Sequence, residues 1–252
     1  MSSPGLRSQL AVLNSGFESA GMVMGAGAYL VYQPVSCYAV GPRPVGVGVY
    51  EGYEEALRLA WWDVVARLED EARRAQAHGV VGVYLIEKRP APGRSMMELQ
   101  LVGTGVRVPG QPPLARPFLS MLSLAETLRL LLGGWIASGI VVGVSAVHVH
   151  GWNASPLLQG AALTNTQMEA PTWGFQEARR RAEEGARQML GQIGAEGLVS
   201  SQVEVRKVTR GDGGGGEGLL IEGRILGTGV VRFREPVAGI AGVRNMAKGV
   251  PV

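Results

Sequence analysis

The sequence predicts an α+β fold of two tandem homologous domains, each a small antiparallel sheet packed on one long helix. Three observations predict it: short blocks of the first half recur in order in the second, amphipathic segments alternate with β-branched runs, and a proline-rich segment separates the halves. We expect a first domain over 1–110, a linker over 111–119, a second domain over 120–235 and a partly disordered tail over 236–252.

The repeat rests on glycines that match at one fixed offset. Gly21 falls on Gly139 and Gly25 falls on Gly143 in the same register. The helical blocks further along align only after a slip of four residues, about one helical turn. We therefore expect the first helix to be about one turn longer than the second.

Each half is predicted to contain a strand, a long helix and a strand pair, in that order. The first strands are expected near 20–32 and 138–150, and the helices over 54–77 and 174–194, where apolar residues recur every three or four positions. The strand pairs are expected over 80–88 with 97–108 and over 198–207 with 219–233. A short helical turn is predicted before each first strand.

A glycine-rich framework motif recurs at the strand pairs. Glycine inside a strand marks a bulge or a close backbone approach more often than a ligand site. We assign a framework role to the matched residues Gly79, Gly103, Thr104, Gly105, Gly197, Gly227, Thr228 and Gly229.

Three features resemble a known family. They are the helix start Tyr53 to Ala56, the helix exit Ala77-His78-Gly79 into a hydrophobic strand, and the closing Gly103-Thr104-Gly105-Val106. This pattern is similar to the YbjQ-like heavy-metal-binding family, and it covers 8–108 and, more weakly, 126–233. The resemblance implies α+β domains that assemble into rings, typically pentameric. Some members carry a cysteine in the first strand, whereas 21–32 has none.

The charge distribution argues against a nucleic-acid partner. The net charge is only +3, and the cations, nearly all arginine, alternate with acids along the chain. A phosphate backbone needs a continuous basic surface, which this pattern does not supply. We therefore expect no nucleic acid among the partners.

Cysteine usage and the N-terminus predict a cytoplasmic protein. Cys37 is the single cysteine, so no intrachain disulfide can form. The first residues lack the charged and apolar regions of a signal peptide. Because no histidine or second cysteine is near in sequence, we interpret Cys37 as a buried, inert thiol.

One uncharged segment, Leu130 to Val147, is long enough to suggest a membrane span. It contains four glycines, and its second half is rich in β-branched residues, which favours a turn followed by a buried strand. The corresponding segment of the first half contains Asn14 and Glu18. We therefore expect no membrane span.

Two histidines are the candidate metal ligands. His148 and His150 alternate on a predicted strand, so both rings leave the same face and could share one divalent metal ion. A structural zinc site needs about four ligands, so acids or another subunit would have to supply the rest. The alternative is two histidines at the polar end of a strand.

No catalytic or cofactor-binding residue is predicted. The glycines of 46–52 precede a helix but lack the Lys-Ser/Thr pair and the spacing of phosphate-binding loops. The acids Glu54, Glu55, Glu69, Asp70 and Glu71 are expected on the solvated side of a helix. Glu98 and Glu222 occupy matching strand positions without forming an obvious catalytic pair.

These observations favour a non-enzymatic, oligomeric structural protein that forms a ring or a shell. Sheet edges and surplus apolar surface are best covered by neighbouring copies, and closed cyclic symmetry is the usual outcome. The alternative is a metal-ion-binding protein whose ligands, His148 and His150 with acids, assemble at subunit interfaces.

Overall fold

The computed structural model describes residues 16–30, 47–88, 96–149, 169–209 and 219–232. These residues are 48% strand and 35% helix. The strands are β1 Glu18–Leu30, β2 Val47–Val49, β3 Gly79–Lys88, β4 Met96–Arg107, β5 Phe118–Leu119, β6 Trp135–Val149, β7 Gly197–Thr209 and β8 Leu219–Arg232. The helices are α1 Glu51–Arg74, α2 Leu124–Leu132 and α3 Glu169–Gln192.

The strands form two four-stranded sheets. Sheet 1 has the order β1-β4-β3-β5, and sheet 2 has the order β2-β6-β8-β7. The long strands pair antiparallel, and β5 runs parallel to β3. Register shifts occur at equivalent places, between Ser19 and Gly21 in β1 and between Ala137 and Gly139 in β6.

The predicted fold class, two tandem domains each with one small antiparallel sheet and one long helix, is wrong. The described residues are mostly sheet, with three helices and two sheets. Short strands also join the halves. Strand β2 of the first half pairs with β6 of the second, and β5, from the predicted linker, pairs with β3 of sheet 1. One apolar core, which includes Leu68, Leu101 and Val142, runs through both sheets.

Helix α1 forms because its apolar residues lie on one stripe and its charges suit its ends. Glu51 and Glu54 lie in the first turn and Arg73 and Arg74 in the last, where they favour the helix dipole. The helix packs on β1 at Gly25, where a Cβ atom would lie only 2.3 Å from the Val64 carbonyl oxygen. The glycine therefore sets how closely helix and sheet approach.

Helix α3 packs on sheet 2 in the same way. At Gly143 in β6, a Cβ atom would lie 2.0 Å from the carbonyl oxygen of Ala182. Both long helices contain 24 residues. The prediction of a first helix one turn longer is therefore wrong. Because Gly25 and Gly143 contact their helices at matching positions, the two helices align without the slip of four residues.

The elements stack in alternating layers. One face of sheet 1 carries Val23 and Leu101 and packs on α1, and we call this its inner face. One face of sheet 2 packs on α3, and the opposite face, with Ile140 and Val142, joins the core that contains α1. Helix α1 therefore lies between the sheets, with α3 on the far side of sheet 2.

Helix α2 covers part of the outer face of sheet 1. Leu124 packs there with Val81 and Val106. The helix begins with a reciprocal cap, in which the Ser123 hydroxyl accepts from the Glu126 amide and the Glu126 carboxylate accepts from the Ser123 amide.

The uncharged segment from Leu130 to Val147 contains the end of α2, a turn at Gly133 and Gly134, and most of strand β6. This is the turn and strand that its glycines and β-branched residues predicted. Within the described ranges, no helix has both the length and the apolar character needed to cross a membrane.

Candidate functional site

The histidine candidates are only partly placed by the structure. His148 is 4% exposed on β6, and its ring centroid lies 5.1 Å from that of Tyr50. His150 and Cys37 lie outside the described residues. Among the residues that are described, no three His, Cys, Asp or Glu side chains come together as a metal site would require. Metal binding at His148 and His150 stays a hypothesis.

The framework glycines lie where another group approaches their backbone. A Cβ atom on Gly79 would overlap the Phe118 ring, and one on Gly103 would lie 2.5 Å from the Val80 side chain. At the equivalent position in sheet 2, a Cβ atom on Gly227 would lie 2.8 Å from the Leu198 side chain. The remaining members of the motif are placed as follows: Gly105 and Gly229 pair with Gly21 and Gly139, Thr104 and Thr228 are buried, and Gly197 begins β7.

A cluster of charged side chains joins the two sheets, and we call it the inter-sheet clamp. Glu87 of β3 accepts hydrogen bonds at 2.5 Å from both Arg206 and Arg224 of sheet 2. Arg206 also donates to Glu222 at 3.0 Å, and Arg224 pairs with Glu204. These charges are mostly buried and paired, so the clamp fixes the position of one sheet on the other.

Two aromatic side chains of α1 complete the clamp. The Tyr53 hydroxyl donates to the Glu222 carboxylate, and the Arg224 guanidinium lies 5.4 Å from the Trp61 ring centroid. The gap bounded by these groups holds only about 10 Å³, which is too small for a substrate. The arrangement therefore suits structural support.

A shallow cleft lies where α1, β6 and α3 meet. It has a volume of about 180 Å³ and is lined by Glu54, Trp62, Arg181 and Gln188, among others. Arg181 donates to Glu54 at 3.0 Å, and Glu54 also accepts from the Ala146 amide at 3.2 Å. Glu54 was expected on the solvated side of its helix, and instead it links the helix to sheet 2.

A third polar contact fastens α1 to β1. The Tyr29 hydroxyl donates to Asp63 at 2.7 Å, and Arg67 donates to the same carboxylate at 2.8 Å. The Tyr29 hydrogen bond, followed by Arg67, holds the pKa of Asp63 below its usual value, although partial burial acts in the opposite direction. Burial and the neighbouring Asp63 raise the pKa of Tyr29.

The most distinctive surface is apolar and belongs to the outer face of sheet 1. Met22 is 70% exposed and Met24 is 49% exposed, and Met24 stands in one row with Val102 and Tyr84. We call this surface the open face; its exposed apolar residues are Met22, Met24, Leu30, Tyr84 and Met96. Exposed apolar patches of this kind mark interaction surfaces.

Sequence reasoning missed both the inter-sheet clamp and the open face. The clamp joins residues far apart in the chain, so no local motif reveals it. A weak signal was present for the open face, because methionines occur at alternate positions of β1. Alternate strand residues share one face, and a methionine-rich face suits adaptable contacts.

Comparison with known proteins decides the family. No family model matches the chain. The encapsulin nanocompartment protein Rv1762c of Mycobacterium tuberculosis is 30% identical over 195 residues, which cover 73% of this chain and 70% of the relative. The chain belongs to the family of this encapsulin nanocompartment protein. The relationship does not bear on the resemblance to the YbjQ-like family, which stays a prediction.

Proposed function

We propose that this protein is a non-enzymatic structural protein whose copies assemble into a ring or a closed shell. One observation carries the proposal: a member of an encapsulin nanocompartment protein's family presents an apolar sheet face to solvent. Water contact with this face is unfavourable, and burial recovers about 25 cal/mol for each Å² of apolar surface. A neighbouring subunit is the cover that an assembling protein has available.

The polar clusters between the sheets support a structural role. The carboxylates of Glu87, Glu204 and Glu222 are each paired with an arginine, so none is held ready as a base. The clamp and the Glu54–Arg181 pair instead connect the two sheets and the two long helices. A rigid subunit of this kind suits repeated packing in an assembly.

Composition supports two further parts of the proposal. A net charge of +3 with interspersed acids supports an assembly that does not depend on nucleic acid, and a single cysteine supports a cytoplasmic location. Five chains around one axis is the first arrangement to consider, on the resemblance to the YbjQ-like family.

Native mass spectrometry of the purified full chain, together with negative-stain electron microscopy, tests the proposal. We expect closed particles whose mass is an integral multiple of the 26.6 kDa chain. A monomer at every protein concentration tested would rule the proposal out.

The metal-binding alternative is tested in the same experiment. The mass is recorded after treatment with a chelator and after addition of zinc, copper or nickel. If assembly is driven by apolar contacts, the mass is unchanged by either treatment. Bound metal ions that are needed for assembly would favour the alternative, with His148 and His150 as the first ligands to replace.

A further inference from the structure

The two sheets have residues at equivalent positions. Gly21 pairs with Gly105 beside the bulge of β1, and Gly139 pairs with Gly229 beside the bulge of β6. Four residues further on, Gly25 seats α1 and Gly143 seats α3 with nearly the same contacts. Strand β1 of sheet 1 therefore corresponds to strand β6 of sheet 2. In the same way, helix α1, which packs on β1, corresponds to helix α3, which packs on β6.

The open face corresponds to a face of sheet 2 that is covered within the chain. Met22 and Met24 of β1 correspond to Ile140 and Val142 of β6, counted from the paired glycines. Ile140 is 1% exposed and Val142 is 4% exposed, because both lie in the core that contains α1. The same kind of surface is thus buried in one sheet and bare in the other.

The cross-strand charges agree with this correspondence. Lys88 lies opposite Glu98 in the register of β3 and β4, and Arg206 lies opposite Glu222 at the matching place in β7 and β8. In sheet 2 this pair belongs to the inter-sheet clamp. Each sheet therefore has one basic and one acidic side chain at the matching place. In sheet 2 this place faces the layer that contains α1, and in sheet 1 it belongs to the open face.

Among the described residues, the complementary positions on the opposite side of sheet 2 are exposed. Leu57 lies two turns before Val64 of α1 and is buried, whereas Phe175, two turns before Ala182 of α3, is 37% exposed. Leu85 of β3 packs against the core, whereas Val203 of β7, at the matching position, is 52% exposed. We call this second surface, formed by α3 with Phe175 and Val203, the α3 face.

We infer that the open face of one copy binds the α3 face of a second copy, head to tail, as sheet 2 packs on α1 within one chain. The inference rests on the proposed function, for which it names the contact between subunits. Such an interface uses two different surfaces, so each bound copy leaves one surface free for the next. Repetition closes a ring when the rotation between copies divides a full turn.

Two charge-introducing variants of the full chain test the inference, Met24→Glu in the open face and Phe175→Glu in the α3 face. Each alone is expected to abolish assembly, so that native mass spectrometry finds the 26.6 kDa chain. Leu59→Glu is the matched control, because Leu59 is 52% exposed on α1 outside both surfaces, and it should assemble like the wild type. Circular dichroism and thermal unfolding check that each variant is folded.

Mixing the two variants provides the sharper test. A Met24→Glu chain keeps its α3 face and a Phe175→Glu chain keeps its open face, so one intact junction remains between them. We expect a 1:1 heterodimer that grows no further, which also shows that both chains are folded. Absence of this heterodimer, or assembly by Phe175→Glu alone, would overturn head-to-tail binding.

The wild-type mass separates failure of the inference from failure of the proposed function. If the wild type assembles and both variants keep its mass, only the inference is overturned. If the wild type is monomeric, both the inference and the proposed function are overturned.

Discussion

Two exposed residues, Gln76 and Ser200, have backbone conformations that glycine adopts more readily. A glycine occupies the corresponding place in the other half of the chain in each case. Gln76, just after α1, has φ 53°, and Gly194 occupies the corresponding place after α3 with φ 66°. At the bulges of β3 and β7 the roles reverse, because Gly82 has φ 62° and Ser200 has φ 52°. A side chain in this left-handed region costs about 1–2 kcal/mol. Each non-glycine residue is thus a local source of strain.

Gln76→Gly and Ser200→Gly are therefore expected to stabilise the protein. Each should raise the free energy of unfolding by about 1 kcal/mol, reduced somewhat by the greater entropy of glycine in the unfolded chain. The converse change, Gly194→Ala, should lower the free energy of unfolding by a similar amount. Because no neighbouring atom would touch the added Cβ, backbone strain is the only cost of this substitution. Urea unfolding measures all three variants, and a loss of stability in both glycine variants would contradict the assignment of strain.

The Tyr29–Asp63 contact predicts a pH dependence. Because the folded pKa of Asp63 is depressed, its contribution to stability is full above the usual Asp pKa of about 4 and is lost as the pH falls through the folded pKa. Tyr29→Phe removes the largest cause of the depression, so the pKa of Asp63 should rise. The stability difference between wild type and variant should shrink in acid.

Carbon-13 NMR titration of the Asp63 carboxyl measures this shift. Tyr84→Phe is the control, since that ring lies on the outer face of sheet 1 and does not reach Asp63. An unchanged Asp63 pKa in Tyr29→Phe would show that Arg67 alone accounts for the depression.

At the scale of elements, two glycines decide how closely the long helices approach their sheets. A Cβ atom at Gly143 would overlap the backbone of α3, which cannot move without disturbing its whole apolar stripe. Gly143→Ala should therefore destabilise the protein by about 1–3 kcal/mol. Gly191 lies in α3, and no atom lies near a Cβ added there, so Gly191→Ala should stabilise the protein by about 0.5–1 kcal/mol. Thermal unfolding that shows equal effects would contradict this account of helix seating.

The inter-sheet clamp predicts that Glu87 matters more than a surface acid. Glu87→Gln keeps the shape of a buried side chain but removes the charge that two arginines share, which should cost about 1–3 kcal/mol. The control, Glu55→Gln, disrupts an exposed pair with Arg58 and should cost under about 1 kcal/mol. Similar losses for both, measured by urea unfolding, would show that the clamp does not hold the sheets together.

Local patterns predicted the elements better than their arrangement. The three- and four-residue apolar spacing located α1 and α3, and β-branched runs located β6. Strands β2 and β5 contain only three and two residues, too few for a periodic signal, so their pairing with β6 and β3 was not predictable. The helix blocks were aligned by placing Tyr53 to Arg58 over Phe175 to Arg180. Packing at Gly25 and Gly143 instead matches the two helices without the slip of four residues.

The candidate site was predicted less well than the fold elements. The clamp depends on Glu87 meeting Arg206 and Arg224, which requires the layer order of the two sheets to be known first. The spacing of His148 and His150 is a local pattern, so the sequence alone suggested a metal site there. In the structure, His148 is buried beside Tyr50. Long-range charge pairs contribute no periodic pattern, so only the three-dimensional structure reveals them.

At the scale of the whole molecule, the layers formed by the described residues end with two unlike surfaces. The outer face of sheet 1 exposes methionines, and the side of sheet 2 that carries α3 exposes Phe175 and Val203. Within the chain, the corresponding surfaces are already packed against each other around α1. A subunit with two complementary ends of this kind is built for repeated association.

The mass of the wild-type chain in dilute buffer, measured by native mass spectrometry, tests this account most directly. Head-to-tail association through apolar surfaces predicts a discrete closed assembly whose mass is an integral multiple of 26.6 kDa and is unaffected by a chelator. A chain that stays at 26.6 kDa as its concentration is raised would contradict it.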